Sequence, residues 1–289
     1  VDAAIVLFQN GDINSKAENV RLLEWTTEPE LIADEPKSQL SSHADAIINI
    51  AGFKSRETGG LIKKIEAKTR PLSAIANVKS GLKAYEVGKG RPAQTKKMKD
   101  ERVYHSKTNQ AGFSKYLVGR DVCRYFIGWS GEYIKYGKNL AAPRKNFALY
   151  STPRILVRQI PNKPPYCIHA CLVSETIFND LNSMNIINIA VEPPLVLAVL
   201  NSRLMSYWFV HKFGKMQRGI FPQFKVNELA IFPMPCSFAS HEANLKTLVD
   251  RIINTKKQNP EADTSALEQQ IDELVYKLYE LTDEEIAIV

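Results

Sequence analysis

The chain has 289 residues, with 38 Lys plus Arg against 31 Asp plus Glu, four Cys, 44 % hydrophobic and 24 % charged residues. That length makes one large domain or two modest ones, able to bury a core without disulfides or metals, and the composition excludes wholesale disorder. Four cysteines give no disulfide framework, the apolar stretch 186–200 is broken by Asn188, Glu192, Pro193 and Pro194, and no basic region leads an apolar core at the N-terminus. Neither a membrane span nor a secretory signal is read, so a cytoplasmic protein is expected. Residues 3–9 (AAIVLFQ), closed by Asn10-Gly11-Asp12, predict a buried strand and turn, and residues 20–25 a second short strand. Because the sequence opens on a core strand, a larger N-terminal neighbour is expected to precede it.

Acidic, polar sequence runs on to Ser42, and residues 53–70 read as a linker or an exposed helix. Residues 72–78 predict a strand or short apolar element, followed by a glycine-punctuated loop, 81–92, and the Lys96-Lys97-Met98-Lys99 cluster. Strands are predicted at 116–118, 124–129, 155–158 and 166–173, the last with Cys167, His169 and Cys171 on one face. Pro194 suits a first helical turn, and 195–210 continues as one apolar helical segment. The prolines of 231–235 stop regular structure. Leu245, Leu248, Val249, Ile252 and Ile253, then Leu267, Ile271, Leu274, Leu278 and Leu281, keep helical spacing on either side of Pro260 and predict a helical hairpin. Ser265 with Glu268, and Thr282 with Glu285, are candidate capping boxes.

Charge is unevenly spread. Residues 1–53 hold 3 basic and 9 acidic residues, 54–235 hold 30 and 11, and 236–289 hold 5 and 11. One electropositive centre between acidic ends suits a polyanionic partner. No catalytic constellation is found. In Asn162-Lys163-Pro164-Pro165-Tyr166, Lys163 interrupts the polar-Pro-Pro-aromatic pattern with which amino-methyltransferases accept hydrogen bonds from a flipped base; a cation accepts none, and the segment reads as a hairpin turn. Cys167, His169 and Cys171 lack the second ligand pair of a zinc site, so no metal is assigned. Asp45, Glu66 and Lys68 resemble a nuclease's acidic–acidic–lysine set but lack the apolar strands that hold such carboxylates beside a metal.

Basic residues interleaved with aromatic and amide groups remain. They are Lys79, Lys83, Tyr85, Lys89, Arg91, Gln94, Lys96, Lys97 and Lys99, then Arg120, Arg124, Arg144, Lys145 and Asn146, then Lys212, Lys215, Gln217 and Arg218. Lys and Arg bind phosphates, and Arg, Gln and Asn can read base edges.

Several ordered blocks carry a family resemblance: Gly81-Leu82-Lys83-Ala84-Tyr85-Glu86-Val87-Gly88-Lys89-Gly90-Arg91-Pro92, Leu117-Val118-Gly119-Arg120-Asp121, Tyr136-Gly137-Lys138-Asn139-Leu140, Pro153-Arg154-Ile155-Leu156-Val157-Arg158, Leu200-Asn201-Ser202-Arg203-Leu204, Phe221-Pro222-Gln223-Phe224 and the tail from Gln270 to Thr282. From about residue 72 onward the chain resembles the TaqI-like C-terminal specificity domain of adenine-specific DNA methyltransferases and single-chain type IIG restriction–modification enzymes. The resemblance implies an α+β fold. Residues 1–53 would end a methyltransferase-type domain and its linker, a short β remnant. Residues 54–235 would form a mixed-sheet target-recognition domain, and 236–289 the helical hairpin.

It also implies sequence-specific binding of double-stranded DNA through Lys83, Lys89, Arg91, Gln94, Lys96, Lys97, Lys99, Arg120, Arg124, Arg144, Lys145, Lys215, Gln217 and Arg218. No cofactor is expected in this chain; S-adenosyl-methionine belongs to a preceding methyltransferase domain of the same polypeptide. A DNA-specificity subunit acting in trans and a metal-dependent nuclease remain as alternatives.

Overall fold

The computed structural model describes residues 19–25, 28–36, 56–213 and 223–289. The strand expected at 3–9 lies outside them. That expected at 20–25 is β1 (Asn19–Trp25), which pairs antiparallel with β2 (Pro29–Pro36). The acidic segment read as irregular thus contains a strand.

Residues read as a linker or exposed helix form α1 (Arg56–Ala67), whose Leu61, Ile62 and Ile65 are buried. Their spacing puts all three on one face, and each fully buried aliphatic side chain contributes about 1.5–3 kcal/mol. The chain continues through β3 (Thr69–Pro71), a short 3₁₀ turn and β4 (Asn77–Ser80). After the glycine loop come α2 (Lys96–Asp100), β5 (His105–Ser106), β6 (Ser114–Leu117), β7 (Glu132–Ile134) and α3 (Ala148–Ser151). Next are β8 (Arg154–Arg158), β9 (Ala170–Val173), β10 (Phe178–Asn179) and β11 (Ser183–Ile187).

Two four-stranded sheets result. One is antiparallel, ordered β4-β11-β8-β9, with Ile186 facing Val78 on one side and Ile155 on the other. The other, ordered β10-β6-β7-β5, is mixed, because β10 runs parallel to β6. No strand forms over 124–129: Tyr125 takes φ +68° and its ring is buried in the main core. The strand expected over 166–173 begins only at Ala170, so Cys167 and Cys171 do not share a face. They belong to separate apolar clusters.

The apolar segment 195–210 is two helices, α4 (Pro193–Asn201) and α5 (Arg203–Phe213). Ser202 breaks it, its Oγ accepting from Met205 N at 3.1 Å to cap α5. Asn201 serves the antiparallel sheet instead: its amide accepts from Ala170 N and donates to Ala170 O, satisfying β9 where no strand lies alongside. Then come α6 (Val226–Ala230) and β12 (Pro233–Pro235), which pairs with β3, Met234 opposite Arg70. Regular structure persists through this proline-rich segment because Met234 lies between the two residues that lack an N–H.

The expected hairpin is α7 (Glu242–Gln258) and α8 (Ser265–Leu278), followed by α9 (Asp283–Ile288). Thr282 and Glu285 form the anticipated capping box. The cap of α8 falls one residue earlier than expected, on Thr264, whose hydroxyl bonds Glu268 at 2.6 Å. The hairpin shares one apolar core with α1, α4, α5 and the antiparallel sheet, while a second cluster, including Leu82, Leu140, Tyr150 and Phe178, underlies the mixed sheet. Acidic residues of the C-terminal end are spent on bracing: Glu285 pairs with Lys64 and Glu280 with Lys68, both on or beside α1.

Candidate nucleic-acid interface

The glycine loop is zipped to residues 138–144. Lys83 and Ala142 exchange backbone hydrogen bonds at 2.8 and 2.9 Å, and Arg91 N donates to Lys138 O at 2.8 Å. Gly90 is required at its place: φ is +84°, and a Cβ would meet Asn139 O at 2.4 Å. Leu82 and Leu140 turn inward from the two segments, which leaves Lys89, Arg91, Lys138 and Lys145 exposed. Directly after the loop, Thr95 caps α2 by accepting from Met98 N, and α2 presents Lys96, Lys97 and Lys99 to solvent. Residues 79–99 hold seven basic residues and one acidic, and residues 135–145 four and none.

Among these only short-range pairing is seen. Lys83 bonds Glu86 at 2.7 Å, which holds that carboxyl below its ordinary range, and Lys97 lies 3.8 Å from Glu101. Lys79 is exposed on β4, and Arg120 is exposed on a 3₁₀ turn (Gly119–Asp121) that Asp121 closes by accepting from Val118 N.

Three of the expected DNA contacts have partners within the fold. Gln94 is buried; its Oε1 accepts from Glu86 N and its Nε2 donates to the carbonyls of Ala84 and Asn139, so it staples the loop to its partner segment. Arg144, at φ +66°, donates to Gly81 O and Ser80 Oγ. Arg124 pairs with Glu268, donates to Asn201 O and lies 3.8 Å over the Tyr166 ring. Of the remaining candidates, Tyr85 is held between Tyr104 N and His105 Nδ1, and Lys212 is buried 3.0 Å from Glu66. Lys215, Gln217 and Arg218 lie outside the described residues.

The nuclease reading loses its residues. Glu66 accepts from Trp208 Nε1 at 2.9 Å and pairs with Lys212, while Lys68 pairs with Glu280; Asp45 lies outside the described residues. Among the described residues no group of three His, Cys, Asp or Glu is placed to hold a metal. Asn162 to Tyr166 is the expected turn, with Asn162 N bonded to Cys167 O and the Tyr166 hydroxyl donating to Asp272. Burial, reinforced by Arg124 and Arg158, lowers His169 to about 4, so it stays neutral at pH 7. His105 is lowered to about 4 as well, by burial and then by Arg102.

Sequence reading passed over Lys135 and Lys138, both exposed beside the loop, and over the pair of cations on Glu132. The absence of any acidic residue from 135 to 145 was the available signal for the first two. Burial raises the Glu132 carboxyl, but hydrogen bonds from Arg102 at 2.7 Å and Lys107 at 3.0 Å outweigh it and hold the group at about 2. No helix among the described residues is long and apolar enough to cross a membrane.

Residues 114–234 match the family model described as the TaqI-like C-terminal specificity domain. The match covers the middle of the chain, less than half of its length. The matched segment runs from β6 to β12, and the glycine loop and α2 precede it. No curated protein matches the chain. Among solved structures, the chain is similar to the Type IIL restriction–modification enzyme MmeI in complex with DNA, at TM-score 0.46 and 11 % identity, over 75 % of this chain and 35 % of that one. It is also similar to the HsdS subunit from Thermoanaerobacter tengcongensis, at TM-score 0.33 and 10 % identity, over 78 % of this chain and 51 % of that one. The chain thus spans about a third of the MmeI chain's length and about half of the HsdS subunit's.

Proposed function

We propose that this chain is the target-recognition part of a cytoplasmic adenine-N6 DNA methyltransferase of the single-chain restriction–modification type. It docks on duplex DNA, reads a short sequence, and positions a catalytic domain elsewhere in the polypeptide that flips and methylates an adenine. One observation carries the reading: the segment that matches a specificity family zips to the glycine loop, within a stretch, residues 79–99, that holds seven basic residues against one acidic. Exposed Lys89, Arg91, Lys96, Lys97, Lys99, Lys138 and Lys145 supply phosphate contacts, which set affinity and register without reading sequence.

In this reading the methyl donor, S-adenosyl-methionine, is held elsewhere in the polypeptide. Gly81, Gly90 and Gly119 are packed against the backbones of Asp180, Asn139 and Asn182, so their missing side chains serve internal packing rather than a ligand. The proposal places the donor in the catalytic domain.

Selection of bound duplexes from a randomised pool, at low and at near-physiological salt, tests the reading. Enrichment of one short motif that survives the higher salt is expected. Absence of duplex binding even at low salt would reject it.

A further inference from the structure

Among residues whose side chains are described, Phe147 is the one aromatic that stands exposed, at 47 %. Its position is fixed rather than loose. The ring leans on Tyr136 at 5.9 Å and on Phe178 at 6.0 Å, and those two stack on each other at 4.3 Å. The backbone beside it is held as well, by Arg144 donating to Gly81 O and by Asn146 Oδ1 accepting from Ala148 N. Lys145 and Asn146, both exposed, precede it.

A single exposed apolar side chain is ordinary on a protein surface. A rigidly backed aromatic ring beside phosphate-binding charge is a different matter. Thymine differs from the other bases in the major groove by its C5-methyl, and proteins read that methyl by apolar contact while neighbouring cations hold the backbone. We propose that Phe147 is a specificity-determining residue that packs on a thymine methyl in the major groove, with Lys145 on the adjacent phosphate. The inference rests on the DNA-recognition reading above. Insertion between base pairs needs a freely protruding wedge. A ring half covered by Tyr136 and Phe178 offers an edge instead, which suits a methyl.

The test uses the full chain and two randomised duplex pools, identical except that uracil replaces thymine in one. The thymine pool is expected to return a motif with T·A at one position, and the uracil pool the same motif with that position relaxed. Within the motif, exchanging that thymine for uracil should weaken binding about fourfold, the value of one buried methyl-sized group. Phe147→Ala should return the relaxed motif from both pools, whereas Phe147→Leu, which keeps an apolar surface, should retain the preference. An identical motif from both pools with the unaltered chain, no motif from either, or a thymine preference that persists in Phe147→Ala overturns the proposal. The first two outcomes involve no variant that might misfold. No duplex binding at low salt rejects the DNA-recognition reading itself, and the thymine contact with it.

Discussion

Arg124 and Glu268 form an ion pair at 2.5 Å with side chains only 16 % and 12 % exposed, joining the segment between β6 and β7 to the first turn of α8. The guanidinium also covers the Tyr166 ring, and Tyr166 in turn donates to Asp272, which accepts from Arg203 N at the start of α5. Removing one member of such a pair strands the other charge away from water, at a cost of about 3–5 kcal/mol. Arg124→Ala and Glu268→Ala should each lower the denaturation midpoint by that measure, and a paired apolar replacement, Arg124→Met with Glu268→Leu, should recover most of it. Chemical denaturation of the three variants checks this. Equal stability of Arg124→Ala and the unaltered chain, together with weakened DNA binding, would return Arg124 to the DNA face.

Gln94 makes the same distinction in the glycine loop. Its amide satisfies Glu86 N–H and two carbonyls, and replacement by Ala leaves these groups without a partner in a buried place. Such unsatisfied groups cost about 1–3 kcal/mol each. Gln94→Ala should therefore destabilise the chain and speed hydrogen exchange at Glu86. A base-reading glutamine would instead leave stability untouched and relax one position of the selected motif.

The difference between these residues and the exposed lysines was not legible in the sequence, and the reason is physical. Arg120 and Arg124 stand four residues apart in one short segment. Arg120 lies outward on a 3₁₀ turn, whereas Arg124 reaches Glu268, 144 positions further along the chain. Local periodicity did carry the helical hairpin, the Thr282 cap and the proline start of α4, because each depends on neighbours within a turn. It missed β2, the burial of α1 and the break at Ser202. Those depend on what the segment packs against, and an acidic strand or a basic helix with three apolar residues looks like surface until its partner is in place.

Glu132 gives the mixed sheet a pH dependence of known sign. Its side chain is 6 % exposed and bonded by Arg102 and Lys107, and its folded carboxyl sits at about 2 against an ordinary value of 4.5. A depressed carboxyl contributes stability that is present above its unfolded value and lost as pH falls through its folded one, here between about 4.5 and 2. Lys64 also lowers the Glu285 carboxyl, so the informative quantity is a difference. Glu132→Gln should be less stable than the unaltered chain at pH 7, and the gap should close as the pH approaches 2. Thermal melts of both proteins at half-unit pH intervals measure it, and a gap that stays constant with pH would show that the ion pairs contribute nothing.

The α2 lysines test the division between affinity and reading. Lys96, Lys97 and Lys99 are exposed, and Lys97 pairs with Glu101 at 3.8 Å. An exposed pair at that distance is worth about 0–1 kcal/mol, so replacing all three with Ala should leave the melting temperature within about a degree or two. Each lysine on a phosphate adds about 0.9 to the slope of log K against log salt. The triple variant should therefore bind all duplexes more weakly and lose up to about 2.7 from that slope, with the selected motif unchanged. An unchanged slope removes α2 from the DNA face. A changed motif would mean that at least one of these lysines contacts a base edge, since a contact confined to phosphate weakens all sequences alike.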